Sequence, residues 1–146
     1  MTDIKFEKNI KVYNTADVVV AGGGPSGVAA AVAAARQGKK VVIIEQSGTF
    51  GGASVLSMVA ELMNFDDGIN FIANGIGKEI FEKLNLKNTK KHEWYNVRYE
   101  ELKRVYDELV LKSGAETMFY TRIVDVICED KKIKCVIVSC PDGLYA

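Results

Sequence analysis

Asp17-Val18-Val19-Val20-Ala21-Gly22-Gly23-Gly24-Pro25-Ser26-Gly27 decides the reading of this chain. A short apolar run stopped by glycine has the form of a strand buried on both faces. The stretch from Pro25 to Gln37 has the form of a helix. Pro25 suits a first-turn position, where its missing N–H costs nothing, and Gly38 suits the position just past the end. Alanines at 29, 30, 31, 33, 34 and 35 give this helix high propensity and a thin profile, so it can lie close against a sheet. Lys39-Lys40 then precede a second buried strand, Val41-Val42-Ile43-Ile44-Glu45. Strand, helix and strand within about 30 residues make a βαβ unit, with parallel strands and a right-handed crossover.

The connecting turn, Gly22 to Gly27, is G-x-G-x-x-G, and each part has a physical task. Gly22 allows the tight turn, Gly24 lets a pyrophosphate approach the backbone, and Gly27 lets helix and strand pack closely. The helix N-terminus that follows Pro25 offers free N–H groups and a positive dipole end to phosphates. Glu45 ends the second strand eighteen residues after Gly27, where a carboxylate can accept from the ribose hydroxyls of an adenosine. The same carboxylate would repel a 2′-phosphate, which disfavours NADP. On these residues alone FAD, NAD and an ADP-like ligand all fit, and so does a ligand-free turn with a solvated strand-end glutamate.

Further along, Gln46 to Asn64 is rich in Gly, Ser and Met and has no clear period. Phe71 to Leu84 reads as a helix with Ile72, Ile76 and Ile80 on one stripe, and Lys87 to Asn96 as a polar loop. Between Val97 and Ser113 the residues Leu102, Val105, Tyr106, Leu109 and Val110 trace one face of an amphipathic helix closed by Gly114. Ala115 to Tyr120 is a third strand. Thr121 to Cys128 and Ile133 to Cys140 flank Glu129-Asp130-Lys131-Lys132 as a hairpin, and Pro141-Asp142-Gly143 turns the chain toward a further element at Leu144-Tyr145-Ala146.

Composition narrows the function classes. At 146 residues with 48% apolar and 26% charged side chains the chain is an ordinary globular domain. Nineteen basic and nineteen acidic residues cancel, so neither a nucleic-acid surface nor an acidic tail is expected. Val18 to Ala35 carries no charge, but its glycines, Pro25 and weakly lipophilic alanines argue against a membrane span. The start, Met1 to Lys8, is charged and lacks an apolar signal core, which points to the cytoplasm. Cys128, Cys135 and Cys140 have neither disulfide nor zinc spacing and read as buried thiols.

The continuation Glu45-Gln46-Ser47-Gly48-Thr49-Phe50-Gly51-Gly52-Ala53-Ser54, taken with the glycine turn, resembles the FAD-dependent oxidoreductases of the glutathione-reductase-like superfamily. The likeness extends to bacterial proteins known simply as FAD-dependent oxidoreductases, through Tyr99-Glu100-Glu101-Leu102-Lys103 and the hairpin after Thr121. It covers nearly all of the chain beyond the first dozen residues. The resemblance implies an α/β, Rossmann-like FAD/NAD(P)-binding fold of three layers, with a parallel sheet plus a β-hairpin or meander. It implies that residues 1–146 form one partial FAD-binding domain, incomplete at its C-terminal end. The implied cofactor is FAD: Gly22, Gly24, Pro25, Ser26 and Gly27 at the diphosphate, Glu45 with Gln46 at the adenosine ribose, and Gly51, Gly52, Ala53 and Ser54 along the cofactor. Val124, at the start of the hairpin, matches a position that touches adenine through its backbone.

No cysteine follows the Gly51-Gly52 pair from Ala53 to Ala60, so the disulfide-reductase subclass is excluded. His92, the sole histidine, sits in a Lys-Lys-His-Glu-Trp loop, read as exposed, with Trp94 anchoring it. No catalytic acid, base or nucleophile and no metal site is read from the sequence. The expected function is the N-terminal FAD-binding region of a flavin-dependent oxidoreductase with an unassigned small-molecule substrate. The alternative is a stand-alone, non-catalytic ADP- or NAD-binding module or subunit. An unfinished sheet edge would favour self-association into a homo-oligomer.

Overall fold

The computed structural model describes residues 2–5, 7–59, 61–87 and 94–146. It opens with β1 (Val18–Ala21), α1 (Pro25–Arg36) and β2 (Val41–Ile44), the expected βαβ unit. A single turn, α2 (Ala53–Leu56), and a short strand, β3 (Glu61–Leu62), lead to α3 (Ile76–Lys83). After β4 (Tyr95–Asn96) come α4 (Tyr99–Ser113) and β5 (Glu116–Met118). The chain ends in β6 (Arg122–Glu129), β7 (Lys132–Cys140) and β8 (Gly143–Tyr145). Strands β1, β2 and β5 lie side by side and all parallel, with β2 in the middle. Strands β6, β7 and β8 form an antiparallel meander.

Side-chain alternation along β2 builds the three layers. Val41 and Ile43 face one side and join Val28, Ala31 and Val32 of α1 and Leu102, Val105, Tyr106, Leu109 and Val110 of α4. Val42 and Ile44 face the other side and meet Val138 of the meander, with Met118, Ile123 and Val136 packed around them. Such a strand, apolar on both faces, is stable only when covered on both. The alanines of α1 allow its close approach to the sheet, and Gly38, with φ of 78°, ends it as the left-handed residue past the cap. Arg36 then ties α1 to α3 through a two-pronged ion pair with Glu79, at 2.8 and 3.1 Å.

Several elements depart from the sequence reading. The helix expected from Phe71 starts only at Ile76, because Asp67 accepts the N–H groups of Ile69 and Asn70 in a turn and Gly75 takes φ of 65°. Ile72 therefore lies outside the helix and is exposed. Tyr95–Asn96, expected as loop, pairs with Glu61–Leu62 over a cluster of Phe65, Phe71, Phe81 and Tyr95. Trp94 stands exposed, and His92, with most of the loop that Trp94 is expected to anchor, lies outside the described residues. The cysteines are not buried: Cys128 is exposed and Cys135 half-buried toward the turn end of the hairpin, and Cys140 is half-buried at its other end, against the cluster of Val42, Ile44 and Val138. Gly143–Tyr145 completes the meander, and Lys11–Tyr13 lies parallel beside it through hydrogen bonds from Tyr13 N–H to Ala146 and from Ala146 N–H to Lys11. No helix among the described residues is long and apolar enough to cross a membrane.

Candidate functional site

The site forms at the C-terminal ends of β1, β2 and β5, where ligands of open α/β sheets lie. Gly22 leaves β1 with φ of 93° and its N–H donates to the Ile44 carbonyl at 2.8 Å, which fixes the turn against β2. A side chain on Gly27 would overlap the Gly22 carbonyl, so helix and strand touch backbone to backbone there. The first hydrogen bond of α1 runs from Val28 N–H to the Gly24 carbonyl. The N–H groups of Ser26 and Gly27 precede it and so have no acceptor within the helix.

Gly24 is different in kind. Its φ of −66° and ψ of 177° are ordinary for any residue, and a Cβ built there meets nothing within 4 Å. Neither backbone geometry nor packing inside the chain requires glycine at this position. The Gly51–Gly52 loop folds against it: Gly51 N–H donates to the Gly23 carbonyl at 2.8 Å, and a Cβ on Gly52 would lie 3.2 Å from the Gly24 Cα. Gly51 and Gly52 have φ of 110° and 50°, so both need glycine for conformation. The result is a shallow cradle walled by backbone. Pro25, Ser26 and Ala53 are exposed at its rim.

Glu45 is buried, with 6% of its surface exposed. One carboxylate oxygen accepts from Gly23 N–H at 2.6 Å and the other from Ser47 N–H at 2.7 Å. Burial opposes the charged form, but hydrogen bonds from Ser47 and Gly23 outweigh it and hold the carboxyl below the ordinary glutamate range. A carboxylate has about four acceptor directions, so two bonds leave capacity for a diol. Gln46 beside it is exposed.

Ser54 turns inward, donating its hydroxyl to the Gly51 carbonyl at 2.6 Å and bonding the buried Tyr106 phenol. Its side chain thus braces the cradle from behind. Val124 sits half exposed where the β6–β7 register shifts between Ile123 and Asp125, a bulge that leaves it without a cross-strand partner. Gly23, Phe50 and Tyr120 were not read from the sequence. Gly23 is hemmed in by Phe50 and the Glu45 carboxylate, and Tyr120 lies against Gly48. These are long-range contacts with no local pattern. No cluster of three potential metal ligands occurs among the described residues.

The fold is that of the FAD/NAD(P)-binding α/β proteins. The chain belongs to the FAD dependent oxidoreductase family, whose pattern matches residues 17–146. None of the curated proteins matches it by sequence. Among solved structures it is similar to THI4 of Thermovibrio ammonificans, at 21% identity and a TM-score of 0.62, over 86% of this chain and 48% of that one. It is also similar to a 3-ketosteroid-delta4-(5alpha)-dehydrogenase of Rhodococcus jostii RHA1, at 15% identity and a TM-score of 0.64, over 92% of this chain and 44% of that one. A third is aklavinone-11 hydroxylase in complex with FAD and aklavinone, at 18% identity and a TM-score of 0.60, over 95% of this chain and 31% of that one. The chain thus spans less than half the length of each, and the likeness to them is one of fold.

Proposed function

We propose that residues 17–146 hold the ADP half of FAD for a flavin-dependent oxidoreductase. In this reading the diphosphate lies on the backbone of Gly22 to Gly27, taking hydrogen bonds from the N–H groups at the start of α1, with Pro25 and Ser26 at the rim. Glu45 accepts from the ribose diol, with Gln46 alongside. Gly51, Gly52 and Ala53 form the opposite wall, and Ser54 braces it. The bulge at Val124 frees a backbone N–H and carbonyl, as adenine recognition through the main chain would need. Bound FAD would supply two-electron redox chemistry, while the chain's own residues bind and orient it. The substrate and the catalytic groups are not assigned.

The observation that carries this reading is Gly24. A glycine with ordinary dihedrals and empty space at its Cβ makes sense as room kept for a ligand. Gly24→Val should therefore leave the ligand-free melting temperature within a few degrees of wild type, yet weaken ADP and FAD binding by at least about tenfold. Calorimetric titration of both ligands into both chains measures this. Undiminished binding by the valine variant would refute the placement of the diphosphate.

A further inference from the structure

Tyr120 stands two residues past the end of β5, in a segment whose backbone connects directly to that of Glu45 and its loop. Glu45 N–H donates to the Met118 carbonyl at 2.9 Å, Thr121 N–H donates to the Glu45 carbonyl at 3.0 Å, and Tyr120 N–H donates to the Ser47 carbonyl at 3.0 Å. The backbone on both sides of Tyr120 is thus locked to the residues that carry and orient the Glu45 carboxylate. The adjoining Thr121 is buried and donates its hydroxyl to the Phe119 carbonyl at 2.8 Å, and the Phe119 ring packs on Phe50 with centroids 4.8 Å apart.

In this rigid frame Tyr120 takes φ of 51°, a left-handed conformation that is unfavourable for a bulky aromatic residue. Glycine or asparagine would satisfy the turn more easily. The ring is nevertheless 67% exposed and contributes to no hydrophobic cluster among the described residues, so burial does not repay the strain. Its phenol covers Gly48, and a side chain there would collide with the hydroxyl and lie 2.5 Å from the ring carbon that bears it. A strained, exposed aromatic residue whose backbone is tied to that of the Glu45–Ser47 segment, at the C-terminal end of a parallel sheet, has a chemical use. Aromatic faces bind nucleobases by stacking, and strain concentrates at such sites.

We propose that Tyr120 is a nucleoside-positioning residue, presenting an aromatic face to the adenine whose ribose Glu45 holds. The inference rests on the adenosine reading of Glu45. Tyr120→Gly removes the ring while relieving the left-handed strain, so its ligand-free melting temperature should not fall. Its affinity for ADP should fall roughly 5- to 100-fold, the range expected for loss of one base–aromatic stack. Tyr120→Phe keeps the face and should bind ADP as wild type does. Ribose 5-diphosphate, which lacks the base, should bind wild type and Tyr120→Gly equally. Gly48→Ala displaces the ring and should weaken ADP binding in the wild-type background but not in Tyr120→Gly.

Isothermal titration of ADP, ribose 5-diphosphate and inorganic pyrophosphate into these four chains and the double variant reads every arm. Unchanged ADP affinity in Tyr120→Gly overturns the proposal. So does an equal loss for both ligands, which would mean that Tyr120 acts only by shaping the Glu45 loop. A wild-type chain that binds ADP no more tightly than inorganic pyrophosphate defeats the adenosine reading itself, and the stacking inference with it.

Discussion

Glu45 shows how one buried side chain can lock two loops together. Its carboxylate closes the glycine turn through Gly23 N–H and its own loop through Ser47 N–H, so the turn is rigid before any nucleotide arrives. Those bonds hold the carboxyl ionised to lower pH than an unfolded glutamate despite its burial. The stabilisation is complete above the ordinary glutamate pKa and is lost as pH falls through the lower folded value. Glu45→Gln, which sets an amide N–H₂ against one of two N–H donors, should cost about 1–3 kcal/mol at pH 7. The gap between wild type and variant should narrow on acidification below about pH 4.5. Urea midpoints at pH 7 and pH 3.5 test this, and a constant gap would show that the charge of Glu45 contributes nothing to the turn.

At the scale of elements, legibility followed the range of the forces involved. The β1–α1–β2 unit and α4 are encoded by residues within one turn or one strand of each other, so period and caps sufficed to place them. The cradle glycines were legible for the same reason, since the tight turn at Gly22 and the backbone contact at Gly27 are local demands. The β3–β4 pair was not, because Glu61–Leu62 meets its partner more than thirty residues later and carries no alternation of its own. The strand-like contact of Lys11–Tyr13 with β8, the Val124 bulge and the Tyr120–Gly48 contact are equally non-local. The β6–β7 hairpin was legible as a hairpin, yet its turn chemistry is unusual: Asp130 and Lys131 have φ of 48° and 60°. A two-residue loop with both φ positive favours Asn-Gly. Replacing Asp130-Lys131 by that pair should stabilise the hairpin by roughly 1 kcal/mol and raise the melting temperature by a few degrees. A lowered melting temperature would mean that Asp130 or Lys131 makes contacts that offset its strain.

At the scale of the whole molecule the two faces of the parallel sheet are unequally covered. On the helical face, fourteen buried residues join β1, β2, α1, α3 and α4 in one cluster, and Leu102 and Leu109 are fully buried there. On the meander face, among the described residues, only Val42, Ile44 and Val138 are buried together. Beside them a cavity of about 850 Å³ opens between the sheet and the hairpin, lined by Val19, Ala21, Val126, Ile133 and Val136 among others. Dispersion and hydrophobic burial both scale with contact made, so the meander is held far less tightly than the helices. The cradle belongs to the tightly held side: Gly27 is pressed against Val20 and the Gly22 backbone, and Gly51 against Val55 and Tyr106. Val124 and its bulge belong to the loosely held side. Hydrogen exchange should therefore show β6–β8 amides opening at lower free energy than those of β2 and α4, in two separable groups. Leu109→Ala, a truncation in the large cluster, should cost about 2–5 kcal/mol and lower the opening energy of both groups. Val138→Ala should accelerate exchange in the meander while leaving β2 and α4 protected. Mass-spectrometric exchange on the two variants separates these outcomes. Uniform acceleration by Val138→Ala would mean that meander and helical layer unfold as a single unit, and that the glycine cradle is only as stable as the Val124 bulge.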